Sequence, residues 1–346
     1  MKILLVGNIY GACNGQRYYM IMPKLVQGFA RLGHNVYVYN DREIARARSF
    51  VGSRKFGIVP ANTRLVEVAR DFQPHLVLLG HCEMIWCRTL RKIREICPGV
   101  RIIYRNVDPL IHAQNVKDIE RRAGVVDGIF LTTAGEALRS FARPETFIAF
   151  MPNPVDPSIE VGRSFERSDQ ENDVFFAGGP LGADHPRQAL LQELKAALPG
   201  VRFDFRGQSF DAPPIFGAAY LAALANAKMG LNLSRTNDYY LYSSDRMAQY
   251  TGNGLLTFVH RGAGFGDIYG DDELAFYDST EELIDKIAYF KEHDGERRKV
   301  AEKGWRKSHE YFDTTRVARY IVEQSFEEPF SDDYPWPTTA YKVPAQ

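Results

Sequence analysis

The sequence predicts an α/β protein built as two Rossmann-like domains facing a cleft. Three observations carry this. Short β-branched runs alternate with longer helix-like stretches over the first 155 residues, and the same alternation restarts near residue 173. Between them lies an interval with prolines and charges but no sustained period. At 346 residues the chain is also too long for one small core. Strict alternation of strand and helix implies parallel pairing with helices on both faces. Two such layers joined by a linker make a cleft at the carboxyl ends of their strands.

In the first half, "KILLVG" reads as a buried strand, Arg17 to Leu32 as a helix and "NVYVY" as a second strand after the turn at Gly33. "HLVLLGH", a helix through Ile93, "VRIIYRN", "GIFLTT" and "FIAFMP" continue the series. These define an N-terminal domain over residues 1–155 and a linker over 156–172. The second domain, 173–312, opens with "DVFFAGG", a helix from Pro186 to Leu198, "VRFDFRG", a helix from Gly217 to Lys228 and "MGLNLS". "SDRMAQYTG" supplies the next helix, and "LLTFV" and "ELAFY" further strands. Past Ser279 the chain turns helical, with Ser279 and Glu282 at capping-box spacing. The last helix begins at Thr314, and residues 313–346 are expected to cross back to the N-terminal domain.

Composition narrows the function. The 43 basic and 43 acidic residues balance, which gives no electrostatic reason to expect a nucleic-acid partner. Cys13, Cys82, Cys87 and Cys97 form no CxxC pair, so neither a zinc site nor a disulfide framework is indicated and a cytoplasmic location is the simplest reading. No apolar run is long enough to span a bilayer, which leaves peripheral contact at most. The loop after the first strand has glycines at 7, 11 and 15, but this is not the GxGxxG fingerprint, so a dinucleotide enzyme is disfavoured.

Candidate binding residues lie at strand ends. Ser243, Ser244 and Asp245 stand where a helix starts, and free N–H groups there suit a diphosphate, with Arg246 adding planar donors. A simple cap with an Asp–Arg surface pair is the competing reading. Gly178 and Gly179 permit close backbone approach to phosphate or form an ordinary turn. Arg206 binds phosphate or pairs with Asp184.

The run from Tyr220 to Val322, with "ANAKMGLNLS", "SDRMAQYTGNGLLTF", "FGDIYGDDELAFYDSTEELIDKIAYF" and "ERRKVAEKGWRKSHEYFDTTRVARYIVE", resembles the C-terminal domain of GT-B glycosyltransferases. Within these it is most similar to the group 1 subset that includes CgeB-like spore maturation proteins. The resemblance implies a nucleotide diphosphate sugar donor on the C-terminal domain and an acceptor, glycan, lipid-linked or small-molecule, against the N-terminal one. It places Arg246 at the family's Arg position and Gln249 where a Glu usually accepts from the ribose hydroxyls. A Gln carbonyl still accepts, without charge assistance.

The resemblance also implies that Gly11, Asn14 and Gly15 line the acceptor, and that His260 and Arg261 meet the transferred sugar. It implies neither a cofactor nor a metal; Asp271 and Asp272 lie in an apparent turn. An inverting reaction needs a base on the acceptor hydroxyl, for which Asp108 and His81 at strand ends are the candidates. Each also has an ordinary role, His81 as a half-buried side chain and Asp108 as a turn cap. A sugar-nucleotide epimerase and a nucleotide-sugar-binding protein with little or no turnover are the alternatives.

Overall fold

The computed structural model describes residues 1–9, 15–50, 52–179, 186–207 and 212–344. Residue contacts divide the chain into two compact units, Met1–Pro154 with Thr314–Gln346, and Val155–Asp313.

The first unit holds six strands: β1 (Lys2–Val6), β2 (Asn35–Tyr39), β3 (Leu76–Leu79), β4 (Arg101–Asn106), β5 (Gly128–Leu131) and β6 (Phe147–Phe150). Its helices are α1 (Ile21–Arg31), α2 (Asp41–Ala47), α3 (Ile58–Phe72), α4 (Cys87–Ile96) and α5 (Ala113–Arg122). The sheet is parallel in the order β2-β1-β3-β4-β5-β6. β3, β5, β6 and the Ile3–Val6 stretch of β1 read as continuous apolar runs because helices cover both faces. The order reverses between β1 and β3, so the loops after those strands flank the crevice where ligands bind such sheets.

The second unit holds β7 (Asn172–Ala177), α6 (Pro186–Ala197), β8 (Phe203–Arg206), α7 (Ala218–Ala225), β9 (Ala227–Asn232), α8 (Arg246–Gly252), β10 (Leu256–His260) and β11 (Ala275–Tyr277). Helices α9 (Thr280–Glu292) and α10 (Asp294–Tyr311) follow. Its sheet is parallel in the order β11-β10-β9-β7-β8, and the reversal falls between β7 and β9. Val174, Phe176, Leu231, Phe258, Leu283 and Ile287 form its core. Beneath the sheet, buried Asp173 meets Arg202, Lys228 and Lys291 at 3.3, 3.5 and 3.0 Å.

The segment expected as a linker, 156–172, groups with the second unit, where Ser164 Oγ donates to Ala227 O at 2.5 Å. Helix α11 (Thr314–Phe326) packs in the first unit against α1. Gly28 permits the approach: a Cβ there would lie 2.4 Å from Thr314 O. Tyr320 Oη donates to Phe150 O at 3.1 Å, and Tyr341 pairs with Ile148 through both backbone bonds, covering the free edge of β6. No helix among the described residues is long and apolar enough to cross a membrane.

Candidate functional site

In the second unit, arginines gather at the strand-order reversal. Arg246 opens α8 and sends Nη1 to Ala177 O at 2.6 Å and Nη2 to Leu233 O at 3.0 Å, while its guanidinium lies 4.7 Å over the Phe176 ring. It thus ties the ends of β7 and β9 together. Arg187, in the first turn of α6, is 7% exposed and donates to the same Leu233 carbonyl at 3.2 Å. Burial, and then repulsion from Arg246 and Arg235, push its pKa down to about 10. A guanidinium gives up protonation free energy only where positive charge is crowded and dry. The hydroxyls of Ser234 and Ser244 are buried with no hydrogen-bond partner among the described residues. A cavity of about 380 Å³ opens beside Ser234, lined also by Arg187, Arg235, Asn237 and His260 among others. Crowded cations and unused donors at strand ends are the chemistry of an anion site.

The neighbouring helix start differs from the simple cap considered from sequence. Asp245 has helical dihedrals and its side chain does not cap α8. Instead, its Oδ2 accepts from Gln249 Nε2 at 2.9 Å. Gln249 is 4% exposed, and its Oε1 accepts from Tyr220 Oη at 2.5 Å. The glutamine suits this position physically. Its amide donates to a carboxylate one turn away, where a glutamate would place two like charges together. Ser243 Oγ donates to Ser244 O at 3.0 Å.

The remaining second-unit candidates divide. Gly178 N donates to Arg206 O at 3.0 Å, and Gly179 follows it on the edge of the described segment. The Arg206 side chain pairs with Asp204 at 2.5 Å, two residues back on the same strand face; Asp184 lies outside the described residues. His260 Nδ1 accepts from Gly262 N at 3.0 Å, and the ring packs edge-on against Tyr277. Arg261 turns to Asp271 and Asp278 at 2.8 and 3.5 Å and lies over Phe276.

In the first unit, the two candidate bases come together. His81 follows β3 and Asp108 follows β4, and His81 Nδ1 lies 3.8 Å from Asp108 Oδ2. Glu83 Oε1 stands 3.9 Å from the same nitrogen and is itself held by Arg42 at 2.8 Å. Burial and Arg105 lower the His81 pKa against the opposing pull of Asp108 and Glu83. Two asparagines fix the Asp108 turn: Asn106 Oδ1 accepts from Asp108 N at 3.0 Å, and Asn115 Nδ2 donates to Asp108 O at 2.8 Å. The half-exposed imidazole thus turns Nδ1 toward two carboxylates. Gly15 adopts φ +63°, while Gly11 and Asn14 lie outside the described residues.

Arg187, Arg235, Tyr220, Glu83 and Arg42 were not singled out in the sequence. Pro186 at the first helical position was the available signal for Arg187, since it fixes where α6 begins and so which residue meets the strand ends. Arg42 and Tyr220 carry no local signal, because their partners are 41 and 29 residues away. Among the described residues, no group of three or more His, Cys, Asp or Glu side chains is arranged to hold a metal ion.

Residues 187–323 match the family model described as glycosyl transferase-like. Sucrose-phosphate synthase from Thermosynechococcus elongatus is similar in structure, with 9% identity, a TM-score of 0.62, and 94% of this chain and 99% of that one covered. HepE from Anabaena in complex with UDP-glucose aligns at 12% identity and a TM-score of 0.60, over 94% of this chain and all of that one. A putative UDP-N-acetylglucosamine 2-epimerase from Listeria monocytogenes aligns at 12% identity and 0.53, over 96% and 98%. A comparison with curated protein sequences gives no significant match. The chain therefore has the fold of the GT-B glycosyltransferases, and its residues 187–323 are similar to the glycosyl transferase-like family.

Proposed function

We propose that the protein transfers a sugar from a nucleoside diphosphate sugar to an acceptor hydroxyl. The family match over residues 187–323 and the GT-B fold support sugar transfer. The observation that carries the donor assignment is the convergence of buried Arg187 and of Arg246 on the Leu233 carbonyl at the β7/β9 ends. A diphosphate placed there removes the repulsion and engages Arg187, Arg235 and Arg246, with Ser234, Ser244 and the backbone at Gly179 as further donors, while the Gly178 N–H stays on Arg206 O. Ser243 holds the Ser244 backbone, and Arg206 stays with Asp204, a supporting role on the neighbouring strand. The ribose takes the second lone pair of Gln249 Oε1 together with the Asp245 carboxylate tied to it. His260 contacts the sugar from the cavity wall, with Arg261 bracing its loop.

On the first unit, His81 removes the acceptor proton and Asp108 orients the imidazole and stabilises its charged form. The leaving diphosphate is stabilised by guanidinium groups in this scheme. The finer likeness to CgeB-like proteins, a lipid-linked or glycan acceptor and a cytoplasmic setting belong to the same proposal. The structural likeness to a putative epimerase keeps a second reading open, in which the nucleotide sugar is converted without an acceptor.

The test is a thermal-shift screen against UDP, GDP, CDP, dTDP, ADP and their common sugars, followed by incubation of the stabilising sugar nucleotide with and without acceptor hydroxyls. Release of nucleoside diphosphate that depends on acceptor supports transfer. Interconversion of the sugar without acceptor supports the epimerase, and no shift by any nucleotide refutes both.

A further inference from the structure

We propose that residues 42–50 and 52–59 of the first unit form a docking surface for an anionic lipid bilayer. Phe50, Phe56 and Val59 are 110%, 76% and 60% exposed, three large apolar side chains within ten residues. Single exposed apolar residues need no explanation, whereas a cluster rimmed by charge marks an interaction surface. The rim here is cationic. Arg42 is paired with Glu83 and Arg46 with Glu43, but Arg48, Arg54 and Lys55 are exposed and make no ion pair with any described residue. This local excess stands out in a chain whose 43 basic and 43 acidic residues otherwise cancel.

The backbone holds the apolar tips outward. Gly52 N donates to Ser49 O at 3.2 Å, and Ser53 N to Ser49 Oγ at 3.2 Å, which closes the turn that presents Phe50. Gly57 N donates to Arg54 O at 3.1 Å, and Gly57 is pressed so closely on α2 that a Cβ would lie 1.8 Å from Ala45 O. The loop is therefore anchored at its base while Phe56 projects. A groove of about 350 Å³ opens beside Val59, lined also by Arg48, Pro60, Thr63 and the mutually paired Arg64 and Glu67, so that Arg48 is its unpaired charge. Aromatic tips entering the acyl boundary between cations that meet lipid phosphates is a bilayer-surface chemistry. An acidic protein would satisfy the cations but gives no reason for two phenyl rings to stand clear of the surface. The inference is independent of sugar transfer, and it places at a membrane whichever reaction the protein performs.

The experiment is sedimentation of the full chain with phosphatidylcholine vesicles, with and without phosphatidylglycerol, at low and high salt. Binding is expected only with phosphatidylglycerol, and weaker in salt. Arg48→Glu/Arg54→Glu/Lys55→Glu is expected to cut partitioning by about 100-fold, from roughly fivefold per basic residue. Phe50→Ser/Phe56→Ser is expected to cut it by about tenfold or more. Both variants alter exposed side chains, so melting temperature and the nucleotide response are expected to stay unchanged; these read folding and the donor proposal separately. No binding to anionic vesicles, equal binding to neutral ones, or full binding by both variants overturns the proposal.

Discussion

Replacing Arg187 by methionine separates a binding arginine from a structural one. Burial, and then repulsion from Arg246 and Arg235, hold its pKa at about 10 in the folded unit, against an ordinary 12.5. At 1.36 kcal/mol per unit, carrying that charge costs the folded state on the order of 3 kcal/mol. The sign follows from the direction of the shift. A cation with a depressed folded pKa destabilises at every pH below that value, so the cost is constant from about pH 5 to 9. Methionine removes the charge and keeps much of the buried stem, but loses the hydrogen bond to Leu233 O, a loss of about 1.5 to 3 kcal/mol for a charged donor. The two effects nearly cancel.

Arg187→Met is therefore expected to unfold in urea within about 1 kcal/mol of the parent, with a difference independent of pH over that range. Its affinity for the nucleoside diphosphate that stabilises the parent is expected to fall by roughly 10- to 100-fold by calorimetry, the loss of one charge-assisted contact. A structural strut gives the opposite pattern. Destabilisation of about 3 kcal/mol or more with an unchanged dissociation constant refutes the anion site at the β7/β9 ends.

Three further outcomes follow from the geometry. Gln249→Glu places a carboxylate against Asp245, so stability is expected to match the parent near pH 4 and to fall by about 1 to 3 kcal/mol as the pH rises to 8, read by urea melts at each pH. Tyr220→Phe leaves Gln249 Oε1 buried without this donor and is expected to cost about 1 to 3 kcal/mol. His81→Asn is expected to lower turnover by about 100-fold or more with donor affinity intact. The acid limb of the parent rate profile should lie below the usual histidine value, and Asp108→Asn should move it lower still, because that carboxylate raises the His81 pKa; an unmoved limb removes His81 from the proton path. For Asp173, burial pushes the carboxyl up, but hydrogen bonds from Arg202 and Lys291 outweigh it and hold it well below the usual range. Its stabilisation is present above the ordinary carboxylate pKa and is lost as the pH falls toward the folded value. Asp173→Asn is expected to destabilise by about 3 to 5 kcal/mol at pH 7 and by less in acid, again by urea melts.

The sequence by itself determined the two parallel layers, because a strand buried on both faces must be apolar along its whole length and its crossover helix must be amphipathic. "KILLVG", "HLVLLGH" and "DVFFAGG" carry that signal within a few residues. The strand ends were legible for the same reason, and with them the places of His81 after β3, Asp108 after β4 and Arg246 at the start of α8. Their partners were not. That His81 meets Asp108, that Arg187 and Arg246 donate to one carbonyl, and that Tyr220 closes on Gln249 depend on contacts between residues 13 to 46 apart, inferred by no local period. Tertiary structure also decided what Gln249 does. In the sequence it is a departure from a family pattern, whereas in the fold it is the neutral donor that lets a buried neighbourhood keep the Asp245 carboxylate.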